Sequence, residues 1–444
     1  YPKLKIENSH YYPENPEAGI DLFLEKLVQE TEKEHEDILE QADETDAMFG
    51  ELYSWYLRNP EYRSRVQKLV QSAFAGKPED IISQSVAKAL YGEVSPYSAT
   101  RLERFAACAF AHFLQYGMKL TERVEYEFKP MDMGNVMHEA LESFAEEVRK
   151  RGMKWTELTE QERNEIADRC LDNIVADYGN TVLKSSARNE YMIERTRRIL
   201  RRTVWALQKQ LEQGEFQPEG FEVTFGGGRI DRVDIMEDQN KVYVKVIDYK
   251  TGNTSFDLVY LYHGLQLQLM IYLDGALRVE QKKYPDKEII PAGVFYYNIK
   301  DPMIQEKIDA DVEAVSAGLM KELKMNGLVQ ADPELVYRMD SSLGSIPVAF
   351  NKDGSFRKNS SVADRTQFAV LGRYVRTKIE KIRSSILEGD AEVSPYELGK
   401  KNACTYCPYM TVCGFDRRLS GYEFRRLKNF SDEELWKAFD REAE

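Results

Sequence analysis

Apolar residues along this chain recur first with a helical period and later with a strand period. Ile20-Asp21-Leu22-Phe23-Leu24-Glu25-Lys26-Leu27-Val28 carries its apolar side chains at helical spacing, and similar runs predict helix across most of residues 1–93. Ser95-Pro96-Tyr97-Ser98 breaks the pattern. Ser98 is a good N-cap for a helix containing Leu102, Phe105 and Cys108, with Glu103 near the positive end of its dipole. A second helix start is expected at Asp132-Met133-Gly134, beyond which Met137, Leu141, Phe144 and Val148 form one core-facing stripe. Helical spacing continues from about 155 to 212. The period then becomes two. Residues 229–236 and 242–250 alternate like strands, with Glu237 to Asn240 as a polar turn, so a hairpin is predicted. A helix over about 257–278, a strand through Val294-Phe295-Tyr296-Tyr297, a long helix near 366–388 stopped by Gly389 and a polar C-terminal helix complete the expectation.

The second strand of the hairpin carries the chemistry. Val242, Val244, Val246, Asp248 and Lys250 share one face, because strand side chains alternate. Three valines seek a core, yet the row ends in an acid and an amine. On the first strand Asp231 shares its face with Val233 and Ile235 and falls opposite or diagonal to Asp248. Two carboxylates so placed repel unless a cation lies between them, and oxygen ligands at that spacing suit Mg²⁺ or Mn²⁺. Lys250 can then orient water or balance charge on a phosphorane-like transition state. A bare Asp-x-Lys is more often a strand-end ion pair, here between Asp248 and Lys250. Asp234 lies on the opposite strand face and suits a salt bridge to an arginine.

Composition narrows the setting. Of 444 residues, 42 % are apolar and 31 % charged, the balance of a folded chain long enough for two to four domains of roughly 150 residues. No run of about 18 or more apolar residues occurs, so no membrane span is expected. No charged-then-apolar leader opens the chain, and a cytoplasmic protein is expected. The first residue is Tyr, which fits a piece of a longer polypeptide. The formal charge of −14 disfavours a protein that coats nucleic acid but permits a local basic groove. Arg195, Arg197, Arg198, Arg201 and Arg202, and separately Arg417, Arg418, Arg425, Arg426 and Lys428, are candidates for phosphate contacts or simply solvated, acid-paired faces. No Gly-x-x-x-x-Gly-Lys-Ser/Thr occurs, so ATP hydrolysis by this chain alone is not expected.

Five cysteines are no disulfide framework, but Cys404, Cys407 and Cys413 lie within ten residues. Three thiolates that close bind a soft metal and need a fourth ligand, for which Cys108 and Cys170 are available. Cysteine sulfurs alone do not separate an iron–sulfur cluster from zinc. Cys170, beside Leu171 and Ile174, reads as a buried apolar thiol.

Taken in order, Gly134-Asn135-Val136-Met137-His138, Gly228-Arg229-Ile230-Asp231-Arg232-Val233-Asp234, Ile247-Asp248-Tyr249-Lys250-Thr251-Gly252 and Gln268-Leu269-Met270-Ile271-Tyr272 resemble the successive motifs of RecB-type PD-(D/E)XK nucleases. That resemblance implies a mixed α/β fold, a restriction-endonuclease-like central sheet flanked by helices. It implies His138, Asp231 and Asp248 as metal ligands, Lys250 as the catalytic amine, and Gln268 and Tyr272 lining the site. Without it, His138 is more readily a helix histidine packed beside the apolar stripe. Glu142, four residues on, would orient the imidazole or sit solvated. Residues from about 85 to 430, including Cys108, Tyr116-Gly117-Met118-Lys119-Leu120 and Phe415-Asp416-Arg417-Arg418, resemble the nuclease region of AddB subunits of AddAB helicase–nucleases, from which Ala109 departs where relatives often have Pro.

In that family one distant cysteine and a C-terminal trio hold a 4Fe–4S cluster. The match implies Cys108, Cys404, Cys407 and Cys413 as a staple closing a loop of nearly three hundred residues. It further implies that 1–93 is a helical remnant of a preceding helicase-like domain, 94–430 the nuclease domain, and 431–444 a helical tail. The expected function is Mg²⁺-dependent exodeoxyribonuclease action on single-stranded or unwound DNA ends, cutting the 5′-ended strand at double-strand breaks beside an AddA-type partner. The alternatives are a non-cleaving DNA-binding scaffold and a stand-alone CRISPR-associated-type exonuclease.

Overall fold

The computed structural model describes residues 4–7, 10–13, 15–17, 19–21, 23–24, 44–73, 81–92, 97–121, 130–177, 187–226, 228–304, 311–419 and 421–443. Parts of two expectations, Glu25–Val28 of the first helix and the Ser95-Pro96 break, lie outside them. The chain divides into two compact units. One gathers Tyr1–Ser83, Cys108–Ala111 and Asp390–Arg426, and the other comprises Gln84–Ala107, His112–Gly389 and Leu427–Glu444.

The first unit opens with a hairpin, β1 (Leu4–Glu7) antiparallel to β2 (His10–Pro13), where helix alone was expected. Helices α1 (Glu44–Arg58) and α2 (Pro60–Ala73) follow, and Ile20, Phe23, Leu52, Tyr56 and Val66 form a small core.

The second unit begins with α3 (Gln84–Tyr91) and α4 (Ala99–Ala107). Ser98 caps α4, its Oγ accepting from the Arg101 amide at 3.4 Å. Then come α5 (Pro130–Lys150), starting two residues before the expected Asp132, α6 (Glu160–Asp177) and α7 (Ala187–Glu212). The strands β3 (Gln217–Phe225), β4 (Gly228–Asp238) and β5 (Lys241–Lys250) run antiparallel in sequence. After α8 (Leu258–Tyr262) and α9 (Gln268–Lys283), β6 (Glu288–Asn298) returns parallel to β5. Helix α10 (Val312–Glu322), β7 (Asn326–Gln330), α11 (Pro333–Met339), β8 (Val362–Ala363) and α12 (Arg365–Glu388) complete a six-stranded mixed sheet of order β3-β4-β5-β6-β7-β8.

Two departures from the expected pattern shape the sheet end. Pro218 and Gly220 disguise β3 as a loop. It forms at the sheet edge, where a missing N–H is tolerated, and a register shift between those two residues absorbs the irregularity. The single helix expected over 257–278 is instead broken at Gly264, whose φ of +79° is open to glycine, and the chain re-enters helix at Gln268. Gly389 ends α12 in the left-handed conformation, as expected.

Helices α5 to α7 cover one sheet face, packing Met137, Leu141, Phe144 and Leu207 onto Ile247, Phe295 and Tyr297. Helix α9 packs on β5 and β6, burying Leu269, Leu273 and Ala276. Val242, Val244 and Val246 are wholly buried. At about 1.5–3 kcal/mol each, they fix the register strongly enough to carry Asp248 under cover, although its own burial opposes folding.

In the first unit, β9 (Tyr396–Leu398) lies between β10 (Lys401–Asn402) and β11 (Arg425–Arg426). The second unit ends with α13 (Asp432–Ala443), which packs on α12. Among the described residues no helix is long and apolar enough to cross a membrane.

Candidate active site

The hairpin register brings the two aspartates together. The β4–β5 ladder pairs Arg232 with Ile247, one step short of Asp231 and Asp248. Asp231 closes the gap with its side chain, Oδ2 accepting from the Tyr249 amide at 2.7 Å. From α5, His138 Nδ1 lies 3.3 Å from that same oxygen. Asp234, facing the other way, is fully buried and paired with Arg232 and with Lys245, the latter at 2.9 Å.

Asp248 and Lys250 form one polar knot with α9. Lys250 Nζ lies 2.6 Å from Asp248 Oδ2 and donates to Gln268 Oε1 at 2.8 Å. The approach to Oδ2 is off the hydrogen-bonding direction, so that buried oxygen keeps accepting capacity. Gln268 Nε2 donates to Asp248 Oδ1 and to the Tyr272 hydroxyl, each at 2.9 Å. The helix break at Gly264 makes this geometry possible, because it places Gln268 in the first turn of α9 with Tyr272 one turn later.

Two carboxylates that the sequence pattern does not single out complete the site. Glu103, expected to favour the dipole of its own helix, instead caps α9 from α4, one oxygen accepting from the amides of Leu267 and Gln268 at 2.7 and 2.9 Å. Glu222 lies on β3 opposite Asp231, its side chain 7 % exposed and its Oε1 3.9 Å from His138 Nδ1. It also pairs with Arg229 and holds a φ of +49°, rare for a side-chain-bearing residue. The alternation Phe221-Glu222-Val223-Thr224-Phe225 is the signal that could have found it. Asp231 and Glu222, rather than Glu142, are the carboxylates at the imidazole.

The electrostatics are those of crowded, buried carboxylates. Burial first, then the charge of Asp231, pushes Asp248 up to about 7 against the pull of Lys250. Burial and Asp231 likewise push Glu222 up to about 7, and burial does the same to Glu103. Burial opposes the charged form of His138, but the hydrogen bond and charge of Asp231, with Asp248 and Glu222 behind it, outweigh this and raise its pKa. Single ligand atoms of His138, Glu222 and Asp231 all lie within 4.8 Å of one another. One imidazole nitrogen and several crowded carboxylate oxygens form a donor set that suits a hard divalent cation.

The four cysteines of the expected trio-plus-one line a single pocket in the first unit. Its remaining walls are apolar, among them Phe110, Ala111, Val393, Pro395 and Phe415. Cys108 is buried and its thiol pushed up by loss of hydration. Cys170 instead packs into the core of the second unit and is pushed up by burial to about 11. Of the arginines considered for DNA, Arg197, Arg198 and Arg201 are engaged by Asp172, Asp301 and Asp168, and Arg418 by Asp416.

A mixed sheet with an Asp-x-Lys strand end, an aspartate across the hairpin and a helix histidine defines a nuclease class. The PD-(D/E)XK nuclease superfamily matches residues 96–414, and the chain belongs to it. Among curated relatives, the AddB subunit of the ATP-dependent helicase/deoxyribonuclease from Lachnoclostridium phytofermentans is 39 % identical over 100 % of this chain. The proteins of the same name from Thermoanaerobacter sp. strain X514 and Clostridium acetobutylicum are 34 % and 32 % identical over 90 % and 99 % of it. The chain spans 40 %, 37 % and 40 % of the length of these three relatives.

Proposed function

We propose that this chain is the nuclease portion of an AddB-type helicase–nuclease subunit, a Mg²⁺- or Mn²⁺-dependent exodeoxyribonuclease acting on single-stranded or unwound DNA ends in the cytoplasm. Its whole protein would resect double-strand breaks, cutting the 5′-ended strand, in complex with an AddA-type motor subunit. The observation that carries this reading is the convergence of His138, Asp231, Asp248 and Lys250, drawn from three separate elements, at one end of the sheet.

His138, Asp231 and Asp248 would hold the divalent ion, with Glu222 beside them. When bound, it supplies Lewis acidity toward a phosphodiester oxygen and acidifies water. Lys250 places a positive charge where negative charge develops on the phosphorus oxygens. Gln268 holds the amine and the carboxylate in fixed relation, and Tyr272 fixes the amide of Gln268. Glu103 secures the backbone from which Gln268 projects.

Cys108, Cys404, Cys407 and Cys413 would hold a 4Fe–4S cluster of structural rather than redox role. Zinc is the alternative group for four cysteine sulfurs.

The test is cleavage of end-labelled single-stranded DNA in Mg²⁺ by chain purified without oxygen. Asp248→Ala is expected to abolish cleavage while leaving the visible absorption intact. Wild-type cleavage by Asp248→Ala would overturn the assignment.

A further inference from the structure

Helices α9 and α12 wall an open groove of about 510 Å³ in the second unit. Phe225, Ile271, Val279 and Ile379 give it an apolar floor. Its rim is basic on both walls: Arg278 and Lys282 come from α9, Arg376 and Arg383 from α12. Against these four cations stand two acids. Asp274 bridges the walls, bonding Arg278 at 2.7 Å and Arg376 at 2.9 Å, and Glu380 takes Arg383 at 2.9 Å. Lys282 is exposed and meets no acid among the described residues, and Arg383 Nε is buried without a hydrogen-bond partner. A net positive groove on a chain of charge −14 marks a place that takes an anion.

The groove adjoins the site across one aromatic contact. The Phe225 ring meets the edge of Tyr272 at 5.9 Å, and the Tyr272 hydroxyl accepts from the Gln268 amide that also holds Asp248. Phe225 also lies against Gly275, where a Cβ would fall within 2.6 Å of the ring. Glycine at that position lets the aromatic floor close onto α9.

We propose that this groove binds the single-stranded DNA segment adjoining the scissile phosphate. Bases lie on the apolar floor and phosphates on the rim of Arg278, Lys282, Arg376 and Arg383. The proposal rests on the nuclease reading of the site and adds the substrate path to it. A duplex keeps its bases stacked inside and gains nothing from an apolar floor, whereas an unpaired base stacks on an aromatic ring such as Phe225 at about 1–3 kcal/mol.

The experiment separates the groove from the reacting centre. Fluorescence anisotropy with a labelled thymidine 20-mer in Ca²⁺ reads the groove. Hydrolysis of thymidine 5′-(p-nitrophenyl phosphate) in Mg²⁺, too small to span the groove, reads the centre. For the Arg278→Ala/Lys282→Ala chain, 20-mer affinity should fall roughly tenfold and the log–log salt slope by about 1.4, with ester hydrolysis unchanged. The Arg376→Ala/Arg383→Ala chain, altered on the other wall, should behave alike. Wild-type affinity and slope in both variants would overturn the groove. An equal loss for a blunt 20-base-pair duplex would overturn its single-strand assignment. Absent ester hydrolysis in the unaltered chain would instead overturn the nuclease reading, the binding arm still deciding the groove.

Discussion

The carboxylate cluster and the thiol pocket both hold chemically active groups away from water, by opposite means. At the sheet end every group is fixed by a polar partner: Asp231 by a backbone amide, Asp248 by Gln268, Gln268 by Tyr272 and, through its backbone, by Glu103. Around the cysteines the walls are apolar, and the sulfurs' polar contacts are to the backbone, the amides of Ala111, Ser394 and Phe110 at Cys108 and the Met410 carbonyl at Cys413. The first arrangement holds its carboxylates by the protein's own hydrogen bonds and crowds their charges together. The second carries no charge penalty while its thiols stay protonated, but only a bound group would hold the sulfurs in relation. Ligand loss should therefore cost the sheet end activity and the thiol pocket stability.

Substitutions that cross this division are the sharpest tests. Lys250→Ala should lower cleavage of single-stranded DNA by roughly 10²–10⁴-fold while leaving the visible spectrum and Tm in place; a bleached protein would break the separation. Conversely, Cys407→Ala should bleach the chain and lower Tm by roughly 5–10 °C. Unchanged colour and melting would refute the ligand assignment.

Glu103→Gln sharpens the contrast through pH. Burial raises the Glu103 pKa from 4.5 to about 7, so the folded chain binds that proton more tightly than the unfolded one. Its contribution is fully present below about pH 4.5 and is lost as pH rises to about 7. The loss amounts to about 3 kcal/mol at most. The glutamine variant, still able to accept from both amides, should flatten the stability profile across that window in denaturant titrations. A profile parallel to the unaltered chain would show that Glu103 is hydrated. The smallest effect is expected for Arg201→Ala. This arginine is 43 % exposed and already paired with Asp168. Stability should change by less than about 1 kcal/mol and 20-mer affinity not at all.

Much of the sheet end was legible from local pattern. Strict alternation over 242–250 put three valines, Asp248 and Lys250 on one face, and a short turn forced Asp231 opposite, because strand pairing leaves few registers. The same alternation kept Asp234 out of the site, and it is found ion-paired on the other face. Glu103 was not legible, and Glu222 only faintly, in the alternation of 221–225. Pro218 and Gly220 hid the strand that carries Glu222, and Glu103 works on a helix 164 residues away in sequence. The expected helix over 257–278 concealed the break that sets Gln268 in a first turn.

By itself the sequence determined which residue types share a face and which motifs follow one another, since periodicity and short turns are local properties of the backbone. Only the tertiary structure decided which distant groups meet: the imidazole of His138 with two carboxylates, Glu103 with the start of α9, and Cys108 rather than Cys170 with the C-terminal trio. Long-range neighbours are chosen by how whole faces pack, and the chemistry of a carboxylate or thiol depends on those neighbours more than on its own identity.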